Sequence, residues 1–320
     1  LGAHESLVPE RRGFDEFFGF LIGGHRYFPE DLTINDLTEA RRQMDGYVTR
    51  IYDNGKRIDT KKYLTEELSD NAVKFIDDNS DNPFFIYLSY NAPHTPLQAT
   101  ERDLERNNHI EVEKRRTYAA MVSSMDDGIG LILDKLEEKK IADNTIVIFF
   151  SDNGGVEWYN FSDNGILRGI KGDFFEGGIR VPFTMQWPKK IKPGTTYDKP
   201  IIALDVFATV ASAASAEKYI KNDIDGVDLL PYITGKKSGL PHKYLYWKNP
   251  DKDIDVVRDE RYKYIRIKDD EYIFDLKNDI SEETNIIDSS KPIYDRLKSQ
   301  FKEWEKEMID PVFLDLGSGK

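Results

Sequence analysis

At 320 residues, 39% of them hydrophobic and 12% aromatic, the chain is long enough for one large domain or a main domain with a smaller one attached, and its composition excludes a disordered polymer despite 32% charged residues. A formal charge of −13 argues against a nucleic-acid binder, because such proteins draw most of their affinity from basic neutralisation of phosphates. The absence of cysteine excludes disulfides, thiolate metal sites and a cysteine-derived nucleophile within these residues, and no run is apolar enough to span a bilayer.

Residues 1–57 are rich in Gly, aromatic and charged residues without sustained periodicity and read as mostly loop with short elements. Residues 64–79 place Leu68, Ala72, Val73 and Ile76 at helical spacing, and Asp81-Asn82-Pro83 stops that helix before PFFIYLSY, which reads as a buried strand over 84–90. The unit recurs as an amphipathic helix over 118–139 followed by a strand over 146–150. A further strand is expected over 181–187 and a helix over 204–216. Apolar strands joined through helices define an α/β class with a largely parallel sheet covered on both faces, where ligands sit beyond the carboxyl ends of the strands. Past about Asp225 short strand candidates over 244–248, 255–258, 263–267 and 272–275 read as an antiparallel meander, covered by a helix over 293–308. The expected division is a main α/β domain over 1–224 and an α+β subdomain over 225–320.

Both main strands end in chemically suggestive sequence. Asp152 and Asn153 follow an apolar strand and precede two glycines, so a carboxylate and an amide oxygen are available to a hard cation; an unliganded Asp-Asn-Gly-Gly turn has the same sequence. His94, between Pro93 and Thr95, is either a proton donor at a strand end or a loop histidine bonded to backbone. In LRGIKGDFFEGGIRVP, Leu167 to Pro182, glycines surround Arg168, Lys171 and Arg180, which suits close approach to an anion or simply a Gly-rich connection with solvated cations. His25 sits in a Gly-Gly loop as a candidate substrate contact, while His4, His109 and His242 read as surface residues. The GxSxG, Walker, GxGxxG and HExxH motifs are all missing.

In order, RGFDEFFGF, a GG pair with a following aromatic at Tyr27, PFFIYLSYNAPHTP, SDNGG, LRGIKGDFFEGGIRVP and DGVDLLPYITG strongly resemble the type I sulfatases, over nearly the whole chain and closest to bacterial arylsulfatase-like and N-acetylgalactosamine-6-sulfatase-like enzymes. The resemblance implies an alkaline-phosphatase-like αβα sandwich with a small C-terminal antiparallel subdomain. It implies hydrolysis of sulfate esters of saccharides, with His94 and Lys171 catalytic and Asp152 and Asn153 binding Ca²⁺ or Mg²⁺, while His25 and Arg168 stand as substrate-binding candidates from their own glycine-rich loops. It further implies a formylglycine nucleophile made from a CxPSR motif, and two aspartates on an earlier strand, none of which this sequence contains. Leu1-Gly2 looks like the end of the family's GKWHLG element, so the chain is expected to be inactive alone and to meet the missing N-terminal segment as a separate chain, or to self-associate. Family habit implies a periplasmic or secreted location. The alternatives are a related phosphodiesterase or phosphonate hydrolase, and a non-catalytic module that binds sulfated glycans.

Overall fold

The computed structural model describes residues 3–309; Leu1 and Gly2, the match to the GKWHLG element, lie outside them. The chain divides into two units, Leu1–Ile146 with Val156–Asp163, and Val147–Gly155 with Asn164–Lys320.

In the first unit α1 (Leu64–Asn79) forms as expected, because Leu64, Leu68, Ala72 and Ile76 recur every fourth residue and are all buried. Glu66 and Glu67 lie in its first turn, at the positive end of the helix dipole, and Glu67 accepts the N–H groups of Lys61 and Lys62. The short α2 (Glu101–Arg106) is capped by the Thr100 hydroxyl, and α3 (Glu113–Glu138) begins earlier than the expected residue 118. Helices α1 and α3 cross at Gly128, where an added Cβ would lie 2.1 Å from the Ser69 hydroxyl. A one-turn α4 (Glu157–Asn160) also belongs to this unit. Beside the helices, β1 (Phe18–Gly19), β2 (Ile51–Asp53) and β3 (Lys56–Ile58) form an antiparallel sheet. The β2–β3 hairpin turns on Asn54-Gly55, both at positive φ, the pair a type I′ turn requires. Tyr27, Leu32, Ile51, Tyr63, Leu64, Leu68 and Met121 make the core.

Residues 84–90 differ from expectation. They join no strand ladder among the described residues. Their burial nevertheless alternates: Phe84, Ile86, Leu88 and Tyr90 are partly covered while Phe85 and Tyr87 are 55% and 64% exposed. Period-two burial is that of an extended segment with one face packed, here with Phe84 edge-on to Phe75 of α1.

In the second unit β4 (Val147–Phe150) pairs with β5 (Phe183–Gln186), and the ladder is antiparallel. Every named ladder among the described residues is antiparallel, so the parallel pairing expected from the apolar runs is not among them. Between these strands lies the one-turn α5 (Glu176–Ile179), and after them α6 (Leu204–Ala213) and α7 (Leu230–Ile233). Buried Asp205 accepts the N–H groups of Ile202 and Val227 and contacts His242 Nε2 at 2.7 Å. His242 is therefore a packed residue and not the surface histidine expected, its side chain being only 11% exposed. The DGVDLLPYITG motif receives a structural reading from the same contacts: a Cβ on Gly226 would meet the Leu204 carbonyl oxygen at 2.1 Å.

The meander follows its sequence closely as β6 (Leu245–Asn249), β7 (Ile254–Arg258), β8 (Tyr262–Ile267) and β9 (Asp270–Asp275), in that spatial order. Alternation sends Val257, Tyr264 and Ile273 to one face, where they pack on Leu297 and Phe301 of α8 (Lys291–Glu305). Ile254, Val256, Ile265 and Phe274 face the other way and are covered by Phe174 and Phe175 of the glycine-rich loop. The boundary expected at residue 224 thus falls inside the second unit, because that loop shares a core with the meander.

Candidate active site

His94 belongs to the first unit and lies on a loop tied down at several points. Buried Tyr27 donates its hydroxyl to the His94 carbonyl at 2.8 Å, and the Tyr27 N–H donates to Gln98 Oε1. Tyr63 donates its hydroxyl to the Gln98 carbonyl, and the Gln98 amide donates to Asp31. Burial pushes the Tyr27 and Tyr63 phenols well above their ordinary range, so both remain hydrogen-bond donors at neutral pH. The His94 Nδ1 sits 2.7 Å from the Thr95 carbonyl oxygen, which fixes Nδ1 as the protonated nitrogen and leaves Nε2 for other chemistry.

His25 is placed otherwise than expected. It is fully buried, stacked on Phe20, with Nδ1 2.8 Å from the Arg26 carbonyl oxygen and Nε2 2.8 Å from that of Thr49. Burial lowers its pKa despite those acceptors, so the neutral ring can donate to only one of them. A substrate contact through this side chain has no support in that geometry, since the Gly-Gly loop folds the imidazole into the core.

The second unit brings the other four candidates onto two stitched loops. After β4 the Ser151 N–H reaches the Pro182 carbonyl and the Ser151 hydroxyl donates to the Asn153 carbonyl. The Asn153 N–H donates to Asp152 Oδ1, and the Asn153 amide nitrogen to the Gly154 carbonyl. These bonds leave Asp152 Oδ2 and Asn153 Oδ1 without a hydrogen bond among the described residues. The glycine-rich loop closes over this turn: the Gly154 N–H donates to the Gly178 carbonyl at 3.0 Å and the Lys171 N–H to the Gly155 carbonyl at 3.3 Å. Asn164 bridges the two, accepting from the Gly155 N–H and donating to the carbonyls of Gly155 and Gly169. The approach is possible only for glycine, since a Cβ at Gly154 would lie 1.7 Å from the Gly177 carbonyl oxygen.

Lys171 sits at the tip of a turn from Ile170 to Asp173, closed by the Asp173 N–H to the Ile170 carbonyl, with Gly172 at φ +88°. Its side chain is exposed. Arg168 is engaged differently: its guanidinium stacks 4.0 Å over the Phe175 ring and donates to the Glu282 carbonyl at 2.8 Å. That places Arg168 in the support of the loop, with its side chain still exposed.

Asp152 and Asn153 present two oxygens of the hard type that Ca²⁺ and Mg²⁺ prefer, which is a fraction of the six to eight such ligands typical of Ca²⁺. Among the described residues no group of three or more His, Cys, Asp or Glu side chains is placed to hold a metal. The pair fits part of a coordination shell, and the remaining donors would come from elsewhere or from water.

The fold is of the alkaline-phosphatase-like class, with the cationic and oxygen-donor loops meeting at the end of β4. Two family models match the chain: "Sulfatase" over residues 4–216 and "N-sulphoglucosamine sulphohydrolase, C-terminal" over residues 171–308. The chain belongs to the sulfatase family. It is 34% identical over 278 residues to the sulfatase YdeN of Escherichia coli (strain K12), an alignment covering 84% of this chain and 46% of that protein. It is 34% identical over 212 residues to human steryl-sulfatase, covering 64% of this chain and 35% of that one. Among solved structures it is similar to Ps i-CgsB in complex with k-i-k-neocarrahexaose, at 32% identity and a TM-score of 0.89, with 99% of this chain and 72% of that one covered. A sulfatase of Bacteroides fragilis, yidJ, at 23% identity and TM-score 0.67, shares the fold over 82% of this chain and 63% of its own. The chain spans about half the length of the curated relatives it matches.

Proposed function

We propose that this chain carries the anion-contacting and metal-contacting part of a sulfuric ester hydrolase that acts on sulfated saccharides. The observation that carries the reading is the stitching of Lys171 onto the Asp152-Asn153 turn, which sets an exposed ammonium group on the same pair of loops as two oxygens suited to a hard cation. The family membership and the likeness to a structure holding a neocarrahexaose support the choice of sulfate ester and saccharide.

Lys171 then neutralises charge on the sulfate oxygens, where a compact ammonium serves as a point cation. For His94 the family role is proton donation to the leaving oxygen, for which Nε2 is available while Nδ1 stays on Thr95. Asp152 and Asn153 would hold Ca²⁺ or Mg²⁺ together with donors from outside the described residues, and an ion there would supply Lewis-acid polarisation of the sulfate. The nucleophile, a formylglycine by family habit, comes from outside these 320 residues, so the chain alone does not turn over. The segment 84–90, extended and ladder-free with Phe85 and Tyr87 exposed, supports pairing with a further strand, supplied by the N-terminal part of a sulfatase or by a second copy. No helix among the described residues is long and apolar enough to cross a membrane, and a periplasmic or secreted setting accords with the family.

Release of nitrocatechol from 4-nitrocatechol sulfate tests the reading. These 320 residues alone give none; co-expressed with an N-terminal sulfatase segment they give Ca²⁺-dependent turnover that Lys171→Ala lowers by roughly a hundredfold or more. Turnover of a phosphonate monoester in preference to the sulfate would transfer the protein to the phosphonate hydrolase reading, and saccharide binding without turnover in the co-expressed form would make it a binding module.

A further inference from the structure

The glycine-rich loop is held by a buried charge cluster that the reaction itself does not use. Lys263, in the middle of β8, is fully buried, and its ammonium lies 3.0 Å from Glu176 Oε1 and 2.8 Å from Glu282 Oε1. Both glutamates are buried too, at 1% and 0% exposure. Arg258 of β7 adds a second cation, 3.2 Å from Glu176 Oε2, and the exposed Arg180 a third at 3.5 Å. Glu282 does more than balance charge. Its Oε2 accepts the backbone N–H of Glu176 at 2.6 Å, and its carbonyl accepts from Arg168 at 2.8 Å. It does this from φ +55°, a left-handed conformation that a side chain rarely adopts.

The two loop positions so held, Arg168 and Glu176, lie on either side of Lys171. Burying four charges is a poor way to gain stability, since an apolar cluster of the same volume usually does as well or better. What the cluster adds is a fixed geometry: an ammonium between two carboxylates accepts few arrangements, whereas an apolar contact accepts many.

Resting on the reading of Lys171 as the sulfate contact, we propose that Lys263, Glu176 and Glu282 are positioning residues for it: through them the C-terminal sheet sets where the glycine-rich loop stands over the Asp152-Asn153 turn. They touch no substrate. Their effect passes through the backbone of residues 168–176 to the Lys171 turn.

Hydrogen exchange of the 320-residue chain, read by mass spectrometry, tests this with Lys263→Met, Lys263→Arg and Glu282→Gln against wild type. Glu282→Gln keeps the side chain's size and an acceptor for the Glu176 N–H, and serves as the milder variant should Lys263→Met fail to fold. In the folded variants, amides of 168–178 exchange about tenfold faster while those of β7 and β8 keep their rates. Lys263→Arg, which keeps the charge, restores part of the protection. Unchanged exchange over 168–178, or an equal rise through β7 and β8, overturns the proposal and leaves the cluster a general stabiliser. Binding of 4-nitrocatechol sulfate is followed in parallel in the form co-expressed with an N-terminal sulfatase segment, and weakens about tenfold in the same variants with the unfolding midpoint little moved. If the wild type shows no such binding, the sulfatase reading of Lys171 fails while the exchange result still decides whether the loop is positioned by the cluster.

Discussion

Single residues in this protein are governed by what surrounds the ionised form. In the buried cluster, burial pushes Glu176 up, but Lys263 and Arg258 outweigh it and hold its carboxyl below the ordinary range. Glu282 goes the other way, burial prevailing over the pull of Lys263. On the opposite face of the meander, burial again pushes Glu271 up, yet hydrogen bonds from Lys298, Tyr264 and Tyr294 bring it down to about 2, against 4.5 for an ordinary glutamate. A carboxyl lowered on folding contributes stability above its unfolded pKa and loses it as the pH falls through the folded one. Stability owed to Glu271 is therefore complete above about pH 4.5 and drains between there and about pH 2. Denaturant unfolding measured across that window should show a shallower pH slope in Glu271→Gln than in wild type; parallel slopes would mean that the acid sensitivity resides elsewhere. At this scale the residues of the proposed site stand out in the sequence and the buried cluster does not. Asp152 and Asn153 follow β4, His94 lies in a Pro-His-Thr-Pro run and Lys171 among glycines, so all four are visible as motifs. Glu176, Lys263 and Glu282 look like ordinary surface charges in the sequence, because the contacts that bring Glu176 to Lys263 and to Glu282 span 87 and 106 residues and only the fold joins them.

Among the elements, those with local causes were legible. Helix α1 and the meander carry their own periodicity, and their observed bounds lie within a few residues of the expected ones. The Asn54-Gly55 hairpin was passed over within a segment read as loop, although Asn-Gly between short runs is a hairpin signal in its own right. Pairing partners were not legible: the apolar run at 84–90 specifies extended chain, but a ladder needs a neighbour that its own residues do not name, and β4 and β5 pair antiparallel. Two predictions belong here. Gly154→Ala forces a Cβ onto the Gly177 carbonyl, and backbone has to move; a loss of about 1–3 kcal/mol or more is expected in denaturant unfolding, and a neutral result would show that the loops part easily. Replacing both Phe85 and Tyr87 by Thr removes two large exposed apolar side chains from an unpaired segment, so self-association measured by sedimentation should fall; an unchanged distribution would place any association at another surface.

At the scale of the whole molecule, the C-terminal meander is a support for chemistry that lies much earlier in the chain. Phe174 and Phe175 enter its apolar face, and Glu282 reaches back 106 residues to the Glu176 N–H and 114 to Arg168. On a ribosome adding about 5–20 residues each second, the glycine-rich loop waits on the order of five to twenty seconds for the residue that holds it. A polypeptide released before Glu282 would carry His94, Asp152, Asn153 and Lys171 and lack the contacts through which Glu282 reaches Glu176 and Arg168. On the positioning proposed above, the loop that bears Lys171 is among the last parts of these residues to be fixed, and a prematurely terminated product is left with its charges but without their alignment.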